Sequence, residues 1–473
     1  MATQPAAARA AARPVVPFGL AWRELQATLA LALPLVLTQL VQILVHTTEV
    51  VLLGRLGAAP LAAATLAAAL FHTGLMFGVG TASATAPLLA QARGARQPRQ
   101  IRRVVRQGLW VTLAITLPLM AILWFARPLL AAMGQDAALL PMTEAYLRHA
   151  LWGMPFGVGF IVLRSFAATF ARTRAVLLAA LAAALLNVPL SWWLIFGGLG
   201  VPSLGPEGAG TAVAITYALM FFLLLAYCLR AAPFRRFAVL ARPWRPDWRT
   251  FGEILRVGLP IGGAVVLEVG LFAVAVLLMG RIGTIQLAAH QVAIQLASIS
   301  FMVPLGISHA ATIRVGLAIG AGDGQGARRA GWVACAVGVA FASLTAILFW
   351  TAGRQLAGLF LDTGTPEGAS ALADAILFLK VAALFQLADS LQVIGIASLR
   401  GLKDTTIPMW LAGFGYWLVG FPLAYVLGLR TALGGLGVWI GLAFALSAVA
   451  IVMVWRFHRL TRRLGLAGER LPY

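Results

Sequence analysis

The chain is predicted to fold as an all-α integral membrane protein, with twelve transmembrane helices in two parallel-repeat six-helix bundles. Three observations carry that expectation. The sequence is 61% hydrophobic and only 11% charged, with a mean hydropathy of +0.90, whereas soluble domains carry about a quarter charged residues. Twelve apolar runs are long enough to cross a hydrocarbon core of ~30 Å at ~1.5 Å per helical residue. The first half also recurs in the second. A shift of 226 lays Pro34–Gly57 (PLVLTQLVQILVHTTEVVLLGRLG) over Pro260–Gly283 (PIGGAVVLEVGLFAVAVLLMGRIG) without a gap.

Taken in order, residues 1–26 are Ala/Pro-rich with few apolar side chains longer than valine, and are expected to form a flexible cytoplasmic tail. The segment AAARAAA precedes the apolar run, whereas a signal-peptidase site follows one, so the first span is expected to be an uncleaved anchor. The first lobe, 27–229, is predicted to place spans at Thr28–Leu53, Leu61–Leu89, Leu109–Phe125, Leu147–Ala167, Ala175–Ile195 and Gly210–Leu229. A polar, Pro-punctuated stretch at 230–250 reads as the linker. The second lobe, 251–456, is predicted to place spans at Ile254–Met279, Leu287–Ile307, Trp332–Trp350, Ala373–Ser398, Met409–Leu427 and Val438–Trp455. Residues 457–473 form the expected C-terminal tail.

Charge in the loops predicts the orientation. Arg93, Arg96, Arg99, Arg102, Arg103 and Arg106 follow the second span, and basic residues recur after every even span, including Arg400 and Lys403 after the tenth. Loops after odd spans carry acids such as Asp136, Glu144, Glu207, Asp362 and Glu367. By the positive-inside rule both termini are expected in the cytoplasm. Six spans per half is an even number, so the halves share one orientation and form parallel repeats, an arrangement that puts binding sites between them near the midplane. The same shift pairs Met76 with Met302, Gly80 with Gly306, Gly94-Ala95 with Gly320-Ala321, and Arg102-Arg103 with Arg328-Arg329. The net charge of +21 is held in short loops between spans, which argues against a nucleic-acid partner. Two cysteines, Cys228 and Cys335, lie in apolar spans without a spacing motif, so neither a disulfide framework nor a metal site is indicated.

Function is expected at the acids inside spans, Glu49, Glu268 and Asp389. An acid at the centre of a bilayer costs about 2.5–3.5 kcal/mol even on the lenient insertion scale, and a cavity, a partner or a transported ion has to offset it. Gln39, Gln42, His46 and Glu49, spaced 3, 4 and 3 apart, fall on one side of the first helix. Gln291, Gln295 and Ser298 make a similar stripe on the eighth span, and Gln386 shares a helix face with Asp389. These seven polar residues are candidate cavity-lining groups, although hydrogen bonds between helices would use them equally well. Desolvation disfavours a charged carboxylate, so one such site holds a proton, a sodium ion or an organic cation, but not two together. That competition is the physical basis of antiport. No phosphate-cradling GxxxxGK[ST] is present, which argues against ATP drive, and no enzyme signature is found.

With these residues in view, the chain resembles the multidrug and toxic compound extrusion (MATE) family, closest to its NorM branch. The resemblance rests on the GRLG end of the first span, AQARGARQPRQIRR, LEVGLFAVAVLLMGRIGTIQLAAHQVAIQLASISFMVPLGIS, and LFQLADSLQVIGIASLRGLKDTTIP. It implies a V-shaped, two-lobe efflux antiporter in the bacterial inner membrane, working as a monomer by alternating access and without a cofactor. Its substrates are expected to be drugs and other xenobiotics, mostly cationic and amphipathic. It also implies a cation-coupling acid in the first span, where Glu49 stands in place of the usual aspartate. Some relatives carry a tyrosine one turn before the tenth-span acid; here that position is Phe385, which favours a proton over sodium, with Na+ at Glu268 and Asp389 as the other option. The alternative function is a lipid-linked saccharide flippase of related architecture. A flippase cavity would need Arg or Lys, and the in-span charges here are mainly acidic.

Overall fold

The computed structural model describes residues 18–467 apart from 133, 199, 201, 240, 242–243 and 362–363. Among the described residues twelve helices are long and apolar enough to span a membrane. They are α1 (Gly19–Gly54), α2 (Ala58–Gly94), α3 (Pro98–Trp124), α4 (Leu140–Thr169), α5 (Thr173–Phe196) and α6 (Pro206–Arg230). The second half supplies α7 (Trp248–Ile282), α8 (Thr284–Gly320), α9 (Gly324–Gly358), α10 (Pro366–Gly401), α11 (Thr406–Leu429) and α12 (Gly435–Leu464). Each coincides with one predicted span, but several are longer. At 36 and 37 residues, α1 and α8 reach ~54 Å, beyond the hydrocarbon thickness.

That extra length revises the expected tails. The first helix already begins at Phe18 and the last continues to Ala467, so helix takes up part of both 1–26 and 457–473. Residues 1–17, 468–473 and Asp362 lie outside the described residues. The linker is also more ordered than its composition suggests. A short 3-10 turn at Phe234–Phe237 drives Phe234 and Phe237 against Phe166 and Phe170 at the end of α4. Asp247 then caps α7 by accepting from the Thr250 N–H at 3.1 Å, satisfying an otherwise orphaned helix donor.

Apolar side chains cover the outside as well as the core. Leu33, Leu185, Leu344 and Ile451 are each more than 60% exposed, which suits lipid rather than water. One apolar core fills the first lobe and a second fills the C-terminal lobe. A smaller cluster, including Leu31, Ala90, Ala168, Ile307, Cys335 and Val393, lies where the lobes meet.

The internal repeat is visible in backbone and packing alike. Gly57 and Gly283, equivalent under the shift of 226, both turn the chain with positive φ, +124° and +158°; only a residue without Cβ does this freely. Across the lobes α1 packs on α8, and α2 on α7. Gly80 of α2 meets Gly262 of α7, where an added Cβ would come within 2.7 Å of the Gly262 Cα. Its repeat mate Gly306 meets Val36 of α1, the mate of Gly262. Near the axis Gly94 faces Leu317 and Gly320, while Gly320 faces Gln91. Contacts that exchange mates in this way require a pseudo-two-fold axis, and small residues let the backbones approach that closely.

Candidate functional site

All of these inter-lobe contacts lie in the half of the molecule that carries the basic loops. There Glu24 of α1 forms a bidentate ion pair with Arg314 of α8, at 2.7 and 2.6 Å. Gln91 of α2 donates to the Gly401 carbonyl of α10 at 2.9 Å. Towards the other side, the face of α8 that meets α1 at Gly306 continues through Met302 and Ser298 to Gln295 and Gln291, and both glutamines are exposed. On the opposite seam Val266 and Val269 of α7 are exposed beyond the buried Gly262 contact.

The second lobe gathers the predicted acids. Glu268 lies mid-helix on α7. Asp389, only 4% exposed, stands on α10, and Gln392 follows one turn later. Helix α11 reaches this group through a π-helical turn, Phe414–Gly420, a local widening common at functional sites. The turn presents Tyr416, whose Oη accepts from Gln392 Nε2 at 2.7 Å. Beside it, Trp417 Nε1 donates to the Leu267 carbonyl at 3.1 Å and fixes α11 against the residue preceding Glu268. The charge of Glu268 acts on both Asp389 and Tyr416, and Gln392 sits next to Glu268. Asp389 Oδ1 and Gln392 Oε1 are buried without hydrogen-bond partners. Buried acceptors left open cost about 1–3 kcal/mol each, so this pocket favours a species that brings a proton or positive charge.

The first lobe does not build a matching cluster. The expected stripe on α1 is divided among three surroundings. Gln39 accepts from Arg164 Nη1 at 3.1 Å, and Gln42 is half-buried. His46 is exposed and meets His72 edge-on, with ring centroids 5.1 Å apart. Glu49, 6% exposed, lies near Tyr146 and Tyr217, whose phenols feel its charge. One helix face thus serves three neighbours, and Glu49 stands apart from the acid pair of the second lobe.

Gln386 takes the other role open to it, a bond between helices: its Nε2 donates to the Ala297 carbonyl at 3.0 Å, and its Oε1 accepts from Ser300 Oγ at 3.3 Å, tying α10 to α8. Phe385 packs against Phe272 and Trp439 in the lobe core.

Sequence reasoning missed Tyr416, Arg164, His309 and Arg400. Tyr416 restores a phenol beside Asp389 from a different helix, so Phe385 does not leave the site without one. Arg164 is 6% exposed inside α4, and Arg400, expected in a loop, belongs to α10 and lines the lobe junction. In-span charge is therefore mixed rather than mainly acidic. The glycine spacing around Tyr416 (Gly413, Gly415, Gly420) was the available signal for the widened turn. Among the described residues no group of three or more His, Cys, Asp and Glu side chains is placed to hold a metal ion.

Comparison with known proteins agrees with the two-lobe fold. The MatE family profile matches residues 34–193 and 260–426, one block in each lobe. The chain is 43% identical over 442 residues to "Probable multidrug resistance protein NorM" of Rhizobium meliloti (strain 1021), covering 93% of this chain and 95% of that one. It is 44% identical over 445 residues to the protein of the same name from Mesorhizobium japonicum, with the same coverage. Among solved structures, the eukaryotic MATE transporter AtDTX14 superposes with a TM-score of 0.83 at 20% identity, over 95% of this chain and 100% of that chain. A MATE structure described as being in the bent conformation gives 0.84 at 21% identity, covering 95% and 98%. At such identities the structural likeness speaks for the fold.

Proposed function

The chain belongs to the MatE family, and from that premise we propose that it is a secondary antiporter exporting drugs and other amphipathic organic compounds, mostly cationic. It works as a single chain in the bacterial inner membrane, with both termini and the basic loops on the cytoplasmic side. In this reading the arrangement described above is open outward. Alternating access would rock the lobes about the pseudo-two-fold seam, exposing a cleft between them to each side in turn.

The observation that carries the proposal is the open pair of buried acceptors, Asp389 Oδ1 and Gln392 Oε1, beside Glu268. We assign Glu268 and Asp389 to binding the coupling cation and the positive charge of the cargo, with Glu49 as an auxiliary acid in the first lobe. The exposed Gln291 and Gln295, with Gln42 and Ser298, line the cleft. The proton is our first choice of coupling ion, because a single lone pair suffices to hold it. Sodium is the second reading, supported by the buried oxygens of Asp389 and Gln392 left without partners beside Glu268. The flippase alternative needs a cationic cavity of headgroup size. Arg164 and Arg400 line a cavity at the lobe junction, but the open acceptors beside Glu268 suit a cationic cargo.

The test uses the purified chain in proteoliposomes loaded with a fluorescent cationic drug. A proton gradient opposed to drug movement should drive transport, and added drug should dissipate that gradient. Transport that ignores pH but follows an imposed sodium gradient would replace the proton by sodium. Indifference to both gradients, together with lipid scrambling, would reject the antiporter.

A further inference from the structure

The lobe junction holds a group of charges that the coupling site does not use. Arg164 of α4 and Arg400 of α10 line a cavity of about 20 Å³ together with His309 of α8. The remaining walls include Ser83 from α2, Ser165 from α4 and Thr312 from α8. Arg164 Nη1 donates to Gln39 Oε1, and Arg164 Nη2 lies 3.3 Å from His309 Nε2. An arginine has only donors, so His309 Nε2 accepts and the ring is uncharged. Arg400 Nε is buried with no partner. Among the described residues neither arginine has a carboxylate oxygen within 4.0 Å. Glu268 acts on Arg400 from beyond contact distance.

Two guanidinium groups facing one cavity inside a membrane protein are costly unless something negative joins them. The hydroxyls do not compete for that role. Ser83, Ser165 and Thr312 spend their hydrogens on the carbonyls of Gly80, Ile161 and Ala397. The unspent N–H groups of Arg164 and Arg400 are the donors left to the cavity. Its volume exceeds the ~10–15 Å³ needed for one water.

We propose that this cavity binds one small monovalent anion of chloride size, held between Arg164 and Arg400. Arg164 comes from the first lobe and Arg400 from the second, so the site is complete only while the lobes meet on the basic side. The anion therefore favours that arrangement, since a ligand stabilises the state that binds it.

The test is binding by the purified full-length protein, which does not require transport and so stands apart from the antiporter proposal. Thermal unfolding is followed by tryptophan fluorescence while sodium gluconate is replaced by chloride, bromide or sulfate at constant ionic strength. Chloride and bromide should raise Tm along a saturating curve, whereas sulfate, a general stabiliser excluded from protein surfaces, should give a rise that does not saturate. Arg164→Gln and Arg400→Gln should each weaken half-saturation at least about tenfold, the equivalent of ~1.4 kcal/mol. An equal response to gluconate and chloride, or an unchanged curve in both variants, overturns the proposal. Should either variant fail to fold, radioactive chloride binding to the unaltered protein gives a second readout. It should saturate near one ion per chain, and no saturable binding overturns the site.

Discussion

The two lobes share a backbone but not a charge pattern. Under the shift of 226, Gln42 is the counterpart of Glu268, and Ala275 is the counterpart of Glu49. The second lobe brings Glu268, Asp389, Gln392 and Tyr416 into one polar cluster, with Trp417 bonded to the α7 backbone as a brace. The first lobe keeps one acid, Glu49, beside two phenols. Duplication preserved what closes the molecule, namely the glycines at 80, 94, 306 and 320, because both halves need close approach at the same seam. Nothing in that packing requires each half to carry its own ion site. In the proposed antiport this difference would put cation coupling chiefly in the second lobe.

The largest expected effect breaks the second lobe's cluster. Glu268→Gln keeps shape and hydrogen-bonding capacity while losing titration and charge, so insertion and folding should persist. Efflux of a cationic drug from cells should fall to near background, and gradient dissipation in vesicles should disappear. Full drug resistance at normal expression would return Glu268 to a packing role and remove the asymmetry between lobes.

A smaller effect is expected in the first lobe. Glu49→Gln should lower transport by roughly tenfold or less, about 1.4 kcal/mol in the rate-limiting step, because Glu49 lies outside the acid pair. The double substitution with Glu268→Gln should add nothing to the loss in Glu268→Gln alone. If Glu49→Gln proves as inactive as Glu268→Gln, while reaching the membrane normally, both lobes carry coupling sites and the comparison fails.

Much of this was legible in the sequence, for physical reasons that also explain the omissions. Spans are legible because a bilayer demands about twenty apolar residues, and the repeat because glycines at close contacts cannot drift. Glu268 and Asp389 stood out because a charge in the middle of an apolar run has a large cost. Arg164 and Arg400 did not, since a long basic side chain near a span end reads as one that snorkels to the interface. Only the packing shows both arginines lining the lobe junction. Tyr416 escaped because its role depends on a π turn, which has no periodic signature. The stripe on α1 was read correctly as one face, but periodicity does not say how many neighbours that face serves.

The smallest expected effect concerns the closed end, where the lobes differ least. Glu24 is 6% exposed and its bidentate pair with Arg314 joins α1 to α8 across the seam. Removing one partner of a buried pair costs about 3–5 kcal/mol, but the Arg314 side chain is 28% exposed and water recovers part of that cost. Glu24→Gln should therefore bias the lobes away from the closed basic side by a few-fold rather than abolish transport. The measurement is cross-linking of cysteines placed at the exposed Ala95 and Ala321, which adjoin the contacting Gly94 and Gly320, compared with and without the Glu24 substitution. A lower cross-linking yield with Glu24→Gln, with export reduced two- to threefold (~0.5 kcal/mol), makes the ion pair part of the closure. An unchanged yield would leave the glycine contacts and the Gln91–Gly401 hydrogen bond holding that end together, and the ion pair would then have no conformational consequence.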